Sequence, residues 1–236
     1  MNNTQQYLLI PASIVVAGLL VAVGIFFGGK SFGPNATNPQ GANQQQAQAP
    51  NVDIKNINTN NEPFIGNGNA PVTIAYWSDY QCPFCKQFEE NAMQDIMKNY
   101  VANNKVKIVF KDFQFLGDDS DTEALFARSI WSLYPDKFFA WREAVFAKQD
   151  GENTGFGDQA SVLAVTKTIS GIDTAKVTAD INANKDAYKK AIDADRAEGT
   201  KSGINGTPAF IIGKQAFTSG APAYADFSQA IDAELK

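Results

Sequence analysis

The stretch SDYQCPFCKQF, Ser78 to Phe88, holds both cysteines of this 236-residue chain, Cys82 and Cys85. Whether they form a staple, part of a metal site or a reacting pair decides how the surrounding sequence is read. As a staple the pair is weak: closing a loop of four residues stabilises by only about 2 kcal/mol, against roughly 3 kcal/mol for fifteen. Strain in so tight a ring subtracts from that. As a metal site it supplies two ligands where structural zinc takes four from Cys and His. The chain has no histidine and no further cysteine, so a metal would have to be shared between two chains. The reacting pair uses every feature. A thiol at the first turn of a helix lies beside unpaired backbone N–H groups and the positive end of the helix dipole, which favour its thiolate. That position belongs to Cys82, the nucleophile. Cys85, one turn on and on the face that carries Phe88 and Ala92, is shielded and reaches back to resolve. Pro83 suits an early helical position, where its missing N–H goes unnoticed.

Outward from this stretch, VTIAYW (Val72 to Trp77) follows the Ala70/Pro71 break as a short β-rich run. KVKIVFKDFQF alternates Val106, Ile108 and Phe110 against Lys105 and Lys107, a second strand. Between them Cys85, Phe88, Ala92 and Ile96 keep helical spacing, which predicts one amphipathic helix from Cys82 to about Tyr100. A CxxC opening the helix of a strand-helix-strand unit is the thioredoxin-type redox context. From Ser120 to Gly203 the periodicity is helical throughout, in the manner of a helical block inserted into a sheet domain. The aromatic segment WSLYPDKFFAWREAVF reads as core at that spacing, not as a ligand pocket. TPAFIIGKQAF then gives two short strands turning at Gly213/Lys214, and a last helix runs from Pro222 with Phe227, Ile231 and Leu235 on one face. The sum is an α/β sandwich with mixed strands.

The N-terminal quarter is different. YLLIPASIVVAGLLVAVGIFF, Tyr7 to Phe27, carries no charge, and as a helix it measures roughly 31 Å at 1.5 Å per residue, matching a ~30 Å hydrocarbon core. Residues 1–29 are read as a retained membrane anchor; a cleaved signal peptide is the rival, but MNNTQQ lacks a positive n-region and no clear A-x-A site follows. Lys30 alone is little guide to orientation, because a long C-terminal domain translocates largely regardless of charge. Residues 30–63, rich in Asn, Gln, Gly, Ala and Pro, are expected to be a flexible spacer with a span on the order of 30 Å. The domain then occupies 64–236, with its helical insertion at about 118–203. The whole chain carries a net charge of −5 with scattered basic residues, which offers no footprint for a phosphate backbone. No nucleic acid, metal or cofactor is expected.

GNGNAPVTIAYWSDYQCPFCKQFEE and GINGTPAFIIG, in that order with a helical block between, resemble the membrane-anchored DsbA/BdbD-type thiol-disulfide oxidoreductases of bacteria, the DsbA-like branch of the thioredoxin superfamily. The resemblance covers about Phe64 to Lys236. It implies a thioredoxin fold interrupted by a helical domain, a cell-envelope location on the extracytoplasmic side of the membrane, and catalysis of disulfide exchange on reduced or unfolded exported proteins. It also implies that the Thr207–Pro208 bond is cis and lies beside the cysteines, with Thr207 presenting its backbone to an extended substrate segment. Pro83 and Phe84 join Thr207 and Pro208 as expected substrate-binding residues. A membrane partner of the DsbB or vitamin K epoxide reductase-like type is the implied re-oxidant.

Two positions depart from the family pattern. Phe84 stands where strongly oxidising members carry a histidine, and Tyr76 stands six residues before Cys82 where an acidic residue is frequent. Every 30 mV of potential corresponds to ~1.4 kcal/mol, so one lost charge contact can move such a pair from oxidant towards isomerase or reductase. Lys111 reads as an exposed strand lysine and Asp79 as a turn residue. The leading expectation is a membrane-tethered dithiol oxidase; the alternatives are a reductase or isomerase of the same fold, and a tethered interaction module with a merely structural pair.

Overall fold

A computed structural model describes residues 52–218 and 220–236. The expected anchor, and the spacer as far as residue 51, lie outside the described residues. Among the described residues no helix is long and apolar enough to cross a membrane.

Five strands form one mixed sheet in the order β1-β3-β2-β4-β5. They are β1 (Phe64–Gly66), β2 (Val72–Ser78), β3 (Val106–Asp112), β4 (Ala209–Ile212) and β5 (Gln215–Phe217). β2 and β3 run parallel with Tyr76 opposite Phe110, and the other pairings are antiparallel, with Trp77 opposite Ala209 where β2 meets β4. β2 and β3 are buried on both faces, and the two-residue period of a strand divides their side chains between two cores. Val72, Ile74, Tyr76, Ile108, Phe110, Phe210 and Ile212 face the larger core with Phe88 and Phe227, while Ala75, Trp77, Ala209 and Ile211 face a smaller one with Phe113 and Ile204.

The helix after β2 is shorter than its periodicity suggests. α1 (Pro83–Glu90) stops at Asn91, whose φ of −120° and ψ of −92° are not helical, and α2 (Ala92–Ile96) continues into a π turn, Met97–Val101. Asn91 donates its side-chain amide to the Gln87 carbonyl, a local bond that competes with the helical ladder. The break turns the chain so that Met93 and Ile96 reach the same core as Cys85 and Phe88. Between β3 and β4 stand α3 (Asp118–Leu133), α4 (Phe138–Lys148), α5 (Gln159–Thr166) and α6 (Thr174–Lys201), and the chain closes with α7 (Tyr224–Glu234). Asp158 and Asp173 cap α5 and α6 by accepting from backbone N–H groups. Phe138, Trp141, Val145 and Phe146 are buried, as the core reading of that aromatic segment expects.

Two expectations need correction. The packed chain begins before Phe64: Val52 and Ile57, within the stretch composition marks as spacer, sit in the smaller core, and the Ile54 N–H donates to the Gly213 carbonyl. A few apolar residues in a polar stretch are enough to cover the sheet face that α6 leaves open. Lys111 is not exposed. It is 2% accessible and paired with Glu62, Asp195 and Glu198, while Arg128 on α3 binds Glu62, Asp112 and Asp195. Strand alternation does put Lys111 on the face away from α1, but α6 and the 58–62 segment cover that face.

Candidate active site

Cys82 is the N-cap of α1 with extended backbone (φ −77°, ψ 118°), and Pro83 occupies the first turn. The Cys82 carbonyl accepts the first bonds of the helix, from the N–H groups of Cys85 (3.1 Å) and Lys86 (3.2 Å). β2 therefore delivers Cys82 to a helix start, where the free N–H groups of the first turn can serve a sulfur anion. Because β4 pairs with β2, the residues just before β4 lie across from the β2 exit. The Thr207–Pro208 peptide bond is cis, and the Cys82 thiol donates to the Thr207 carbonyl at 3.3 Å. Cys82, Cys85, Thr207 and Pro208 are thus brought together. Pro83 and Phe84 are carried on the outer rim, with Phe84 56% accessible, an apolar ring standing in solvent beside the nucleophile.

Both thiols are free and their surroundings differ sharply. Cys82 is 4% accessible, and its pKa is pushed down to about 6, chiefly by the hydrogen bond from the Cys85 thiol. Contacts with Thr207 and the N–H groups of Cys85 and Phe84 add to this, against the opposing effect of burial. The Thr207 hydroxyl has no other partner, so it is available to donate once the thiolate forms. Cys85 is fully enclosed, and burial first, then the hydrogen bond and charge of Cys82, push its thiol well above the ordinary range. At neutral pH the site holds one thiolate and one thiol, each at the sulfur its place on the helix favours.

The loop before Cys82 is fastened to the helical block. Asp79 Oδ1 accepts from the Gln81 N–H (2.9 Å) and Ser120 Oγ (2.6 Å), and its Oδ2 from the N–H groups of Phe115 (3.0 Å) and Leu116 (3.3 Å). With four donors around it, Asp79 is a turn residue, as its sequence position suggests. Gln81 Nε2 donates to Glu123 Oε2 and the Phe156 carbonyl, and its Oε1 accepts from the Asn153 N–H. Gln149, at the end of α4, donates to the carbonyls of Tyr80 (2.5 Å) and Cys82 (3.1 Å). Sequence reasoning missed Gln149 and Gln81, because isolated glutamines carry no periodic signal. It also missed Arg142, buried beneath α1 with its Nε and Nη2 donating to Glu89 Oε1 at 2.9 and 2.7 Å. A signal was present there: Arg142 falls four residues after Phe138 and one after Trp141, inside an apolar run.

Comparison with known proteins agrees with this geometry. The family described as Thioredoxin matches residues 58–233. The disulfide bond formation protein D of Bacillus subtilis is 29% identical over 182 residues, covering 74% of this chain and 78% of that protein. The crystal structure of oxidised BdbD from Bacillus subtilis superposes with a TM-score of 0.67 at 26% identity, covering 74% of this chain and 92% of that one. The thiol-disulfide exchange protein α-DsbA2 from Wolbachia pipientis gives a TM-score of 0.65 at 28% identity, over 74% of this chain and 87% of that one. The chain belongs to the thioredoxin family and is a thiol-disulfide oxidoreductase of the DsbA-like kind.

Proposed function

We propose that this chain oxidises thiols of exported proteins through the Cys82–Cys85 pair, as a domain tethered by residues 1–29 to the extracytoplasmic face of a membrane. A client thiolate attacks Cys82 of the Cys82–Cys85 disulfide; the Cys82–client bond forms and Cys85 leaves with the electron pair. The client's second thiolate then displaces Cys82, so that the client leaves as a disulfide and the pair as a dithiol. A membrane disulfide or quinone relay of the DsbB or vitamin K epoxide reductase-like type removes the two electrons. Thr207 meets the client backbone, and Pro83 and Phe84 border its path.

The observation that carries this reading is the asymmetry of the two sulfurs. A thiolate stabilised at Cys82 favours the dithiol state, which makes the disulfide the better oxidant. The test is to trap the intermediate: in Cys85→Ala, Cys82 should retain clients as mixed disulfides resolved by reductant on a non-reducing gel. A Cys85→Ala protein that collects no client in its own cell envelope contradicts the proposal. The names of the relatives, disulfide bond formation proteins, point in the same direction.

A further inference from the structure

The Thr207 carbonyl meets Cys82, and the two residues just before Thr207 are Asn205 and Gly206. Asparagine is among the thermolabile residues, and a glycine after it leaves its carboxamide most open to the next main-chain nitrogen. Asn205 is exposed, and none of the N–H groups of Asn205, Gly206 and Thr207 makes a backbone hydrogen bond among the described residues. The φ of Gly206 is not positive, and a Cβ at Gly206 would meet nothing within 4 Å. Neither backbone conformation nor space calls for a glycine there. The chain's other such pair, Asn67 and Gly68, is restrained: Asn67 Oδ1 accepts from the Asn69 N–H (2.9 Å) and the Asn67 carbonyl from the Ala70 N–H (2.9 Å). A carboxamide held by its own turn is less free to swing onto the following nitrogen.

Both ends of this loop are fixed. Ile204 is 1% accessible in the smaller core and its N–H donates to the Gly199 carbonyl at 2.9 Å, while Ala209 is buried and paired with Trp77. Only Asn205, Gly206, Thr207 and Pro208 stand between these anchors, and the Thr207 carbonyl lies 3.3 Å from the Cys82 sulfur. We propose that Asn205 is a site of spontaneous deamidation, driven by attack of the Gly206 nitrogen, and that its isoaspartyl product slows exchange at Cys82 by moving Thr207.

The chemistry needs only water. The Gly206 nitrogen gives up its proton and attacks Asn205 Cγ; the N–Cγ bond forms, and the Cγ–Nδ2 bond breaks with its electron pair and the proton leaving as ammonia. Water then opens the five-membered ring at either carbonyl. Opening at Cγ leaves an ordinary aspartate. Opening at the backbone carbonyl routes the main chain through Cβ, one atom longer, and leaves the former backbone carbonyl as the free carboxylate. Either product replaces a neutral amide by a negative charge on the rim of the site, which opposes a thiolate there. The longer chain does more, because with Ile204 and Ala209 held in the core the extra atom must be taken up by the residues between them, Thr207 included.

The effect on exchange rests on the proposed role of Cys82 as the reactive sulfur, and one experiment separates the two. Freshly purified full-length protein, kept reduced without oxygen, is held for days in mildly alkaline buffer below its melting temperature. In the tryptic peptide 202–214 Asn205 is the sole amide side chain, so its conversion to an acid reads the modification directly, and isoaspartyl methyltransferase counts the isoaspartate in the isolated peptide. Formation of the Cys82–glutathione adduct from oxidised glutathione is timed on the same samples. Asn205 should convert well ahead of Asn67, mainly to isoaspartate. The converted fraction should form the adduct about tenfold or more slowly, within what a misplacement on the order of 1 Å costs. Gly206→Ala, whose Cβ has room in the fold but crowds ring closure, should match wild type when fresh and keep both its amide and its rate on standing. An Asn205 that stays an amide, or converts no faster than Asn67, overturns the site. An isoaspartate at position 205 that leaves the adduct rate unchanged overturns its effect on Cys82 and leaves the proposed function standing. Fresh wild-type protein that forms no adduct overturns the proposed function together with that effect, while the peptide map still decides the modification.

Discussion

At Cys82 a single sulfur collects three kinds of support: a thiol donor from Cys85, the Thr207 side chain, and the first-turn N–H groups of α1. Its alkylation rate by iodoacetamide should therefore rise with pH through a midpoint near 6, and a midpoint near the ordinary thiol value of 9 would deny the arrangement. A hydrogen bond to a charged group contributes about 1.5–3 kcal/mol, so Thr207→Val, which removes the hydroxyl and keeps the shape, should raise that midpoint by about one unit or more. Glu123 shows the opposite behaviour. Burial lifts its carboxyl from 4.5 to about 8, with Gln81 pulling the other way. The fold prefers the protonated form, so the contribution of Glu123 to stability is complete below about 4.5 and is lost as the pH rises through 8. Glu123→Gln keeps an acceptor for Gln81 and should unfold at the same denaturant concentration as wild type in acid. At pH 9 it should be more stable by about 3–5 kcal/mol, and equal urea curves at pH 9 would contradict this.

Among the elements, the β2–α1 loop is held by the helical block rather than by the sheet alone. Asp79 joins that loop to the start of α3 and to the Phe115–Leu116 backbone. Asp79→Ala leaves a hydroxyl and backbone donors buried without their acceptor, and should cost about 2–4 kcal/mol in urea unfolding; a loss below about 1 kcal/mol would show that the loop is held elsewhere. The same elements mark what the sequence discloses. Strands β2 to β5, the helix opening at Cys82 and the helices of 118–201 follow from period and turn residues, because each is set by local alternation. The end of α1 at Asn91 does not, since helical spacing of apolar residues continues across the break. Cys82, Cys85 and the Thr207–Pro208 pair are legible as motifs. Arg142, Glu89, Gln149 and Lys111 are not, because a charged or amide side chain looks the same in sequence whether it meets water or a buried partner.

Over the whole domain, two cations and four carboxylates join the 58–62 segment, β3, α3 and α6 on the face of the sheet away from the cysteines. Lys111 and Arg128 hold Glu62, Asp112, Asp195 and Glu198 there. Removing one member of such a buried set strands the others, so Lys111→Met should lower stability by about 3–5 kcal/mol while leaving the Cys82 titration in place. A variant that unfolds like wild type would mean the network is wet. The redox poise follows from the other face. With Cys82 near 6, the pair lies between thioredoxin, whose attacking cysteine has a pKa of about 7, and DsbA, where it is about 3.5; their potentials are about −270 and −120 mV. A depressed Cys82 pKa stabilises the dithiol, so the couple is expected to lie above about −270 mV. Structural disulfides of secreted proteins lie below about −300 mV, so a couple above about −270 mV would pass its disulfide to such a protein downhill even without a histidine in place of Phe84. The most direct measurement is equilibration of the Cys82–Cys85 couple with glutathione at pH 7. A potential above about −270 mV is the predicted result; a value at or below it would make the pair a reductant and contradict the account.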